Sequence, residues 1–198
     1  MSDRLLSVWD GVDLNYHNLI NIFLHHLEVP AGFVPGALLL GGAAWWLAPR
    51  RGWDRKPAVL AGCGLALALA LTVVRPFGHF PTGGLSPLAT LRACTVGTFS
   101  LAHLYEELNV AMLVPYALFG TLATRRPALI VVSSMLVSAL IEYVQGATGG
   151  GECQLRDIVH NTLGGLLGAL IAVLVLRLRS RQSPEITARV AAGSGSPR

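Results

Sequence analysis

Long apolar runs separated by short polar segments dominate this chain. Five of them approach the roughly 20 residues that a membrane-spanning helix needs. The five runs cover residues 31–48, 57–74, 108–124, 127–146 and 158–177. The pattern predicts an all-α fold, a polytopic membrane helix bundle with about five transmembrane helices. Pro115 lies inside the third run, where a proline removes a helical hydrogen bond and predicts a kink.

The segments outside these runs follow other patterns. Residues 14–28 carry apolar side chains at helical spacing, which predicts an amphipathic helix either in the membrane interface or capping the bundle. Residues 75–106 contain several prolines and glycines and predict a long loop, whose apolar second half, 89–105, could fold back onto the bundle. The predicted division is an N-terminal interfacial segment (1–30), a transmembrane bundle (31–178) and a disordered basic tail (179–198).

Composition agrees with a membrane location. The 198 residues are 53% apolar and 13% charged, about half the charged fraction of an average soluble domain. The first ten residues lack a continuous apolar core, so we expect no cleavable signal peptide.

The placement of positive charge predicts an orientation. With five spans, eleven of the fifteen basic residues fall on one side of the membrane and four on the other. Basic residues near span ends favour the cytoplasmic side, which predicts an outside N-terminus and a cytoplasmic C-terminus. We expect the arginines to contact anionic lipid in the bilayer rather than nucleic acid.

The fourth and fifth runs carry polar side chains where lipid would normally forbid them. A carboxylate in a span costs roughly 2.5–3.5 kcal/mol on insertion scales and therefore suggests a functional site. At about 100° per residue, each run places its polar and small residues on one face. These residues are Ser134, Ser138, Glu142 and Gln145 in the fourth run, and Asp157, Asn161, Gly164 and Gly168 in the fifth.

An antiparallel arrangement of these two runs would bring the two faces together. Residues 147–156 connect the runs, so we expect Glu142 and Gln145 to meet Asp157 and Asn161. We expect Ser134 and Ser138 to pack against Gly164 and Gly168, which form a GxxxG step that permits close helix contact.

Two interpretations of this polar cluster are open at this point. In the structural one, Asp157 caps a helix and Asn161 only bridges helices. In the functional one, two carboxylates in a poorly hydrated site repel each other, so that one could bind or transfer a proton. A cation could instead neutralise them, and the candidates are Arg75 and Arg156. Asn109, at the start of the third run, would add to the same face.

Metal and cofactor chemistry has little support in the sequence. A zinc site from His79, His103 and His160 with nearby acids is conceivable, but HExxH and paired-cysteine spacings are missing, so we expect no metal and no cofactor. Cys94 and Cys153 both lie on the predicted outer side, where a disulfide could persist, although the sequence does not fix the pairing.

Several of these spacings resemble the VanZ-like family of bacterial membrane proteins. The matching features are Asn109 followed six residues later by Pro115, the pair Glu142-x-x-Gln145, and Asp157-x-x-x-Asn161-Thr162-x-Gly164. The resemblance covers about residues 105–176. Cys153 also falls where actinobacterial members often have a cysteine.

The chain departs from the family pattern in the last predicted outer loop. An arginine usual in that loop is replaced by Gly151, and a following acidic residue by Gln154. Arg156 could substitute for the missing charge from a different direction. These changes weaken any expectation that the loop binds an anion.

The resemblance implies that the protein lies in the bacterial plasma membrane. It also implies a role in the cell envelope and in resistance to teicoplanin-type glycopeptides. We therefore expect a protein that binds or shields a lipid-linked envelope precursor or a lipophilic glycopeptide. One alternative is a membrane enzyme that uses Glu142 and Asp157 as acid and base on a lipid or envelope sugar. A second alternative is a proton-coupled transporter, although no inverted repeat is evident.

Overall fold

A computed structural model describes residues 27–74, 86–97, 99, 104–151 and 153–193 of the chain. The predicted amphipathic helix over 14–28 lies almost entirely outside these residues. Arg75, His79 and His103 also lie outside them.

The described part of the chain is helical. In chain order the helices are α1 (Glu28–Arg51), α2 (Arg55–Leu69), continued by a π-helical turn (Ala70–Val74), α3 (Pro87–Ala93), α4 (Leu104–Met112), α5 (Val114–Thr124), α6 (Pro127–Thr148) and α7 (Leu155–Gly193). Within the described residues, five stretches are long and apolar enough to cross a membrane: Glu28–Arg51, Arg55–Val73, Glu106–Thr124, Pro127–Thr148 and Leu155–Arg181. The predicted five-span helix bundle is therefore confirmed.

The third span is interrupted where the sequence predicts. Helix α4 ends at Met112, Leu113 adopts φ −93° and ψ −1°, and α5 begins at Val114 with Pro115 in its first turn. A proline is tolerated at that position because the first-turn N–H groups have no helical acceptor. The break therefore separates a short α4 from a regular α5.

Two tight turns meet at one end of the bundle. Gly52 turns the chain between α1 and α2 with φ +66°, and the Asp54 N–H donates to the Ala123 carbonyl (3.1 Å) at the turn between α5 and α6. The α7 residues near Arg179 lie at the same end. We call this the basic end, because nine described basic residues gather there. They are Arg50, Arg51, Arg55, Lys56, Arg125, Arg126, Arg177, Arg179 and Arg181.

Close helix contacts depend on small residues. A Cβ added at Gly62 would lie 2.6 Å from the Leu40 carbonyl oxygen of α1, and one added at Gly64 would lie 2.9 Å from the Tyr116 nitrogen of α5. Such positions let helix backbones approach directly, which is the usual packing mode of membrane helices.

The expected partners of the GxxxG step were wrong. A Cβ at Gly164 would overlap the Val110 carbonyl of α4, and one at Gly168 would lie 2.5 Å from the Val114 carbonyl oxygen of α5. Gly164 and Gly168 therefore face the third span, not Ser134 and Ser138. Gly165 lies about 100° further round α7 and faces Ser134. A Cβ added at Gly165 would lie 2.5 Å from the Ser134 Cβ. Helix α7 packs against two neighbours and uses a different small face for each.

Helix α7 extends beyond residue 179, where the basic tail is predicted to begin, and ends at Gly193. Disorder of the tail stays a prediction. Residues 194–198 lie outside the described part.

Candidate functional site

The end of the bundle opposite the basic end carries a group of ionisable side chains, which we call the carboxylate cluster. It consists of Glu106 (α4), Glu142 (α6), and Arg156, Asp157 and His160 (α7). Glu106 and His160 are fully buried and Glu142 is 3% exposed. The side chains of Arg156 and Asp157 keep 16% and 18% of their surface exposed. The cluster therefore has a buried part, Glu106, Glu142 and His160, and a partly accessible edge, Arg156 and Asp157.

Arg156 joins two helices through its guanidinium group. Its NH1 donates to the Glu106 Oε1 of α4 at 3.3 Å, and its Nε lies 3.5 Å from the Asp157 Oδ1. The guanidinium thus lies between two carboxylates and compensates charge that would be costly to bury alone. The sequence predicts that Arg75 or Arg156 neutralises Glu142 and Asp157; Arg156 lies beside Asp157 and Glu106, and Arg75 lies outside the described residues.

Glu142 has a different partner. Its Oε2 accepts a 2.8 Å hydrogen bond from the Gln154 N–H, in the turn that precedes α7. Glu142 therefore anchors the turn that precedes α7 through this hydrogen bond.

The predicted amides divide between different neighbours. The Asn161 Nδ2 donates to the Ser138 Oγ (2.9 Å), which ties α7 to α6 in the buried layer beneath the cluster. Asn109 of α4 lies beside the Asp157 carboxyl group. Gln145 does not turn toward Asp157 and Asn161 as expected, because its Nε2 donates to the Thr72 carbonyl at 3.0 Å.

The Thr72 carbonyl that Gln145 contacts lies within the π-helical turn. A change from α to π hydrogen bonding within Ala70–Val74 alters the pairing of the carbonyls around it. A carbonyl without a helical donor inside a membrane is costly, so a side-chain amide from α6 is a favourable partner. Gln145 therefore connects the fourth span to the second.

A short extended segment covers the carboxylate cluster. Cys94 and Cys153 form a disulfide, and Thr95 pairs with Gln154 in an isolated parallel bridge. The bridge has two hydrogen bonds, from the Thr95 N–H to the Cys153 carbonyl (3.0 Å) and from the Leu155 N–H to the Thr95 carbonyl (2.9 Å). The pairing of Cys94 with Cys153, which the sequence left open, is thus present.

The same covering segment passes directly over Arg156 and His160. Gly97 has φ +64°, and a Cβ there would come within 3.2 Å of the Arg156 Cδ. The Phe99 ring packs on the His160 ring with 4.8 Å between centroids. Glycine suits this position on both counts, the positive φ and the close approach.

Sequence reasoning missed two members of the cluster and misplaced one role. Glu106 was assigned to the end of a loop, although it lies three residues before Asn109 and so shares a helix face with it. His160 was considered only as a metal ligand, yet its Nδ1 lies 3.8 Å from the Asp157 Oδ1. Asp157 lies within the first turn of α7, not at the capping position, because the helix begins at Leu155.

Among the described residues, no group of three or more histidine, cysteine and acidic side chains is placed to hold a metal ion. The partly exposed edge consists of the adjacent residues Arg156 and Asp157, whose Nε and Oδ1 atoms are buried and lie 3.5 Å apart. Such a pair is complementary to a polar group that carries both an anionic oxygen and an amine.

A protein-family model matches this chain over half of its length. A model of the VanZ/LLP1 family matches residues 78–176, a range that includes the covering segment and the whole carboxylate cluster. Neither the curated proteins nor the solved structures that were compared match this chain.

Proposed function

Because this chain belongs to the VanZ/LLP1 family and is a multi-pass membrane protein, we propose that it works in the bacterial cell envelope by binding or shielding a lipid-linked envelope component. This activity would contribute to resistance against lipophilic, teicoplanin-type glycopeptides. The binding edge is the Arg156–Asp157 pair, and the component meets it at the membrane surface.

The observation that carries this proposal is that the carboxylate cluster contains buried members and a partly exposed charged pair. Glu106 and Glu142 are buried and already engaged, by the Arg156 guanidinium and the Gln154 N–H respectively. Arg156 and Asp157 are the members that reach the surface. Buried groups that orient a partly exposed charged pair are typical of binding sites, where preorganisation lowers the entropic cost of association.

A lipid-linked ligand fits the location of the pair. The pair lies at the end of spans that face lipid along much of their length, so a polar headgroup could reach it while its chain stays in the bilayer. Envelope precursors of this kind carry phosphates, sugars and peptide amines, which match a guanidinium beside a carboxylate. A soluble ligand would gain nothing from this placement.

The acid–base alternative has weaker support. A general acid or base must reach its substrate within hydrogen-bonding distance. Glu142 is 3% exposed and accepts a backbone hydrogen bond, so a substrate would have to displace the turn before α7. Binding therefore accounts for the geometry with fewer changes.

Susceptibility of a deletion strain tests the proposal. Complementation with Arg156→Gln or Asp157→Asn should fail to restore resistance to a lipidated glycopeptide, while the response to an unlipidated one changes little. The matched controls are Arg92→Gln and Glu107→Gln, which remove exposed charges at the same end of the bundle. Equal loss in the controls, or full restoration by both site variants at normal membrane levels, would contradict the proposal.

A further inference from the structure

A groove opens at the basic end of the bundle, far from the carboxylate cluster. It has a volume of about 690 Å³ and lies between the start of α2, the end of α5 and the part of α7 near Arg179. The charge distribution predicts that this end of the bundle faces the cytoplasm. Four basic side chains and one acidic side chain line its mouth: Arg55, Lys56, Arg125, Arg179 and Asp54. The mouth therefore has a strong excess of positive charge.

The deeper lining of the groove is apolar. Leu60, Phe119, Leu122 and Leu176 form its wall toward the middle of the bundle. A site with a basic rim and an apolar wall suits an amphiphile with an anionic head and hydrocarbon chains. A nucleic acid or an acidic peptide would leave the apolar wall without a partner.

Two tryptophans indicate that the groove lies at the level of lipid headgroups. Trp45 and Trp46 are 52% and 57% exposed on α1, close to the same end. The Arg55 Cζ lies 5.1 Å from the Trp45 ring centroid, and the Arg50 Cζ lies 3.8 Å from that of Trp46. Exposed tryptophan beside arginine is typical of the membrane interface.

We propose that this groove binds an anionic phospholipid, with its phosphate at the basic rim and its chains along the apolar wall. Asp54 does not oppose this, since it pairs with Arg125 at 3.6 Å and its charge is offset there. Basic pockets between spans are known to suit anionic headgroups. The site is independent of the carboxylate cluster and of the function proposed for it.

Lipid titration of the purified full-length protein, followed by native mass spectrometry, tests this site. The probes are phosphatidylglycerol and phosphatidylcholine. Wild-type protein should retain the anionic lipid in preference to the zwitterionic one. Arg55→Gln combined with Lys56→Gln should weaken that binding by about 25-fold, because each basic residue near anionic lipid contributes roughly fivefold.

The charge-matched control is Arg51→Gln combined with Arg126→Gln, which removes two basic residues of the same end that do not line the groove. This variant should keep the wild-type affinity. Equal weakening in both double variants would show diffuse attraction and overturn the proposal, as would equal retention of the two lipids by the wild type.

A second variant covers the case in which the groove double variant does not fold. Lys56→Gln alone should weaken phosphatidylglycerol binding by about fivefold, while Arg51→Gln alone should leave it unchanged. No difference between these two single variants would also overturn the proposal.

Discussion

At the scale of single residues, the stability of the carboxylate cluster depends on which partner each buried carboxyl group has. Glu142 is matched by one backbone N–H, and Glu106 by a guanidinium. Removing a partner from a buried group leaves its desolvation cost uncompensated, which matters more than the net strength of the contact. The consequences of substitution therefore differ for these two acids.

Glu142 should be replaceable by glutamine at small cost, and by methionine only at a larger one. Glutamine keeps an oxygen that can accept from the Gln154 N–H, whereas methionine has a similar size and leaves that donor without its acceptor. We expect Glu142→Met to lower unfolding stability by about 1–3 kcal/mol and Glu142→Gln by less. Thermal unfolding in detergent measures both. Equal loss in the two variants would show that the charge, not the acceptor, is what matters.

Glu106→Gln should destabilise the protein strongly for another reason. It leaves the guanidinium of Arg156 facing a neutral amide in a buried site, and breaking a buried ion pair costs about 3–5 kcal/mol. The neighbouring Glu107 is exposed, so Glu107→Gln should change stability by less than about 0.5 kcal/mol. Denaturation of both variants under identical conditions makes the comparison. Similar stabilities would show that the Glu106–Arg156 pair contributes little.

At the scale of helices, the sequence predicts existence better than orientation. The length of the apolar runs determines the five spans, and Pro115 marks the break between α4 and α5. The contacts of Gly164 were not predictable, because α7 carries small residues on more than one face. Periodicity does not say which neighbouring helix each face contacts. Glu106 was missed because the first turn of the third span is polar, and its sequence cannot be distinguished from that of a loop.

The same limit applies to the helix that Gln145 contacts. Gln145 pairs with the Thr72 carbonyl, which lies 73 residues away in the sequence and within the π-helical turn. The sequence does predict that Gln145 must find a polar partner, since an amide in lipid is costly. Which partner it finds is decided by tertiary packing.

Gly164→Ala tests the close contact between α7 and the third span. The new Cβ would overlap the Val110 carbonyl, so the helices must separate, and overpacking of this kind costs about 1–3 kcal/mol. Gly42 on α1 is the matched control, because nothing lies within 4 Å of a Cβ added there. We expect Gly42→Ala to be neutral or slightly stabilising in thermal unfolding. A neutral Gly164→Ala would show that the two helices are not in direct contact.

At the scale of the whole molecule, the two ends of the bundle differ in chemistry. One end gathers nine described basic residues, and the other carries a disulfide that ties residues 59 positions apart. Basic residues favour the cytoplasmic side, and disulfides persist in oxidising compartments. Both features, which are independent of each other, favour the same orientation.

The disulfide should stabilise the cover over the cluster. Cys94→Ser or Cys153→Ser frees the covering segment, and loss of a cross-link that closes a loop of this size costs about 2–4 kcal/mol. Cys63→Ser is the control, since Cys63 is a free cysteine. Limited proteolysis should cleave the segment around Thr95 faster in the first two variants only. Unchanged cleavage would mean that the bridge to Gln154 suffices to hold it.

Orientation can be measured with single cysteines in a Cys63→Ser background. Thr148 and Ser180 are exposed and lie at opposite ends of the bundle, and replacing them leaves every charge in place. Since the basic end should face the cytoplasm, a membrane-impermeant maleimide should label Thr148→Cys in intact cells and Ser180→Cys only after permeabilisation. The reverse pattern would place the carboxylate cluster in the cytoplasm. A disulfide and an envelope ligand would then be implausible there, so this measurement bears on the proposed function as well as on topology.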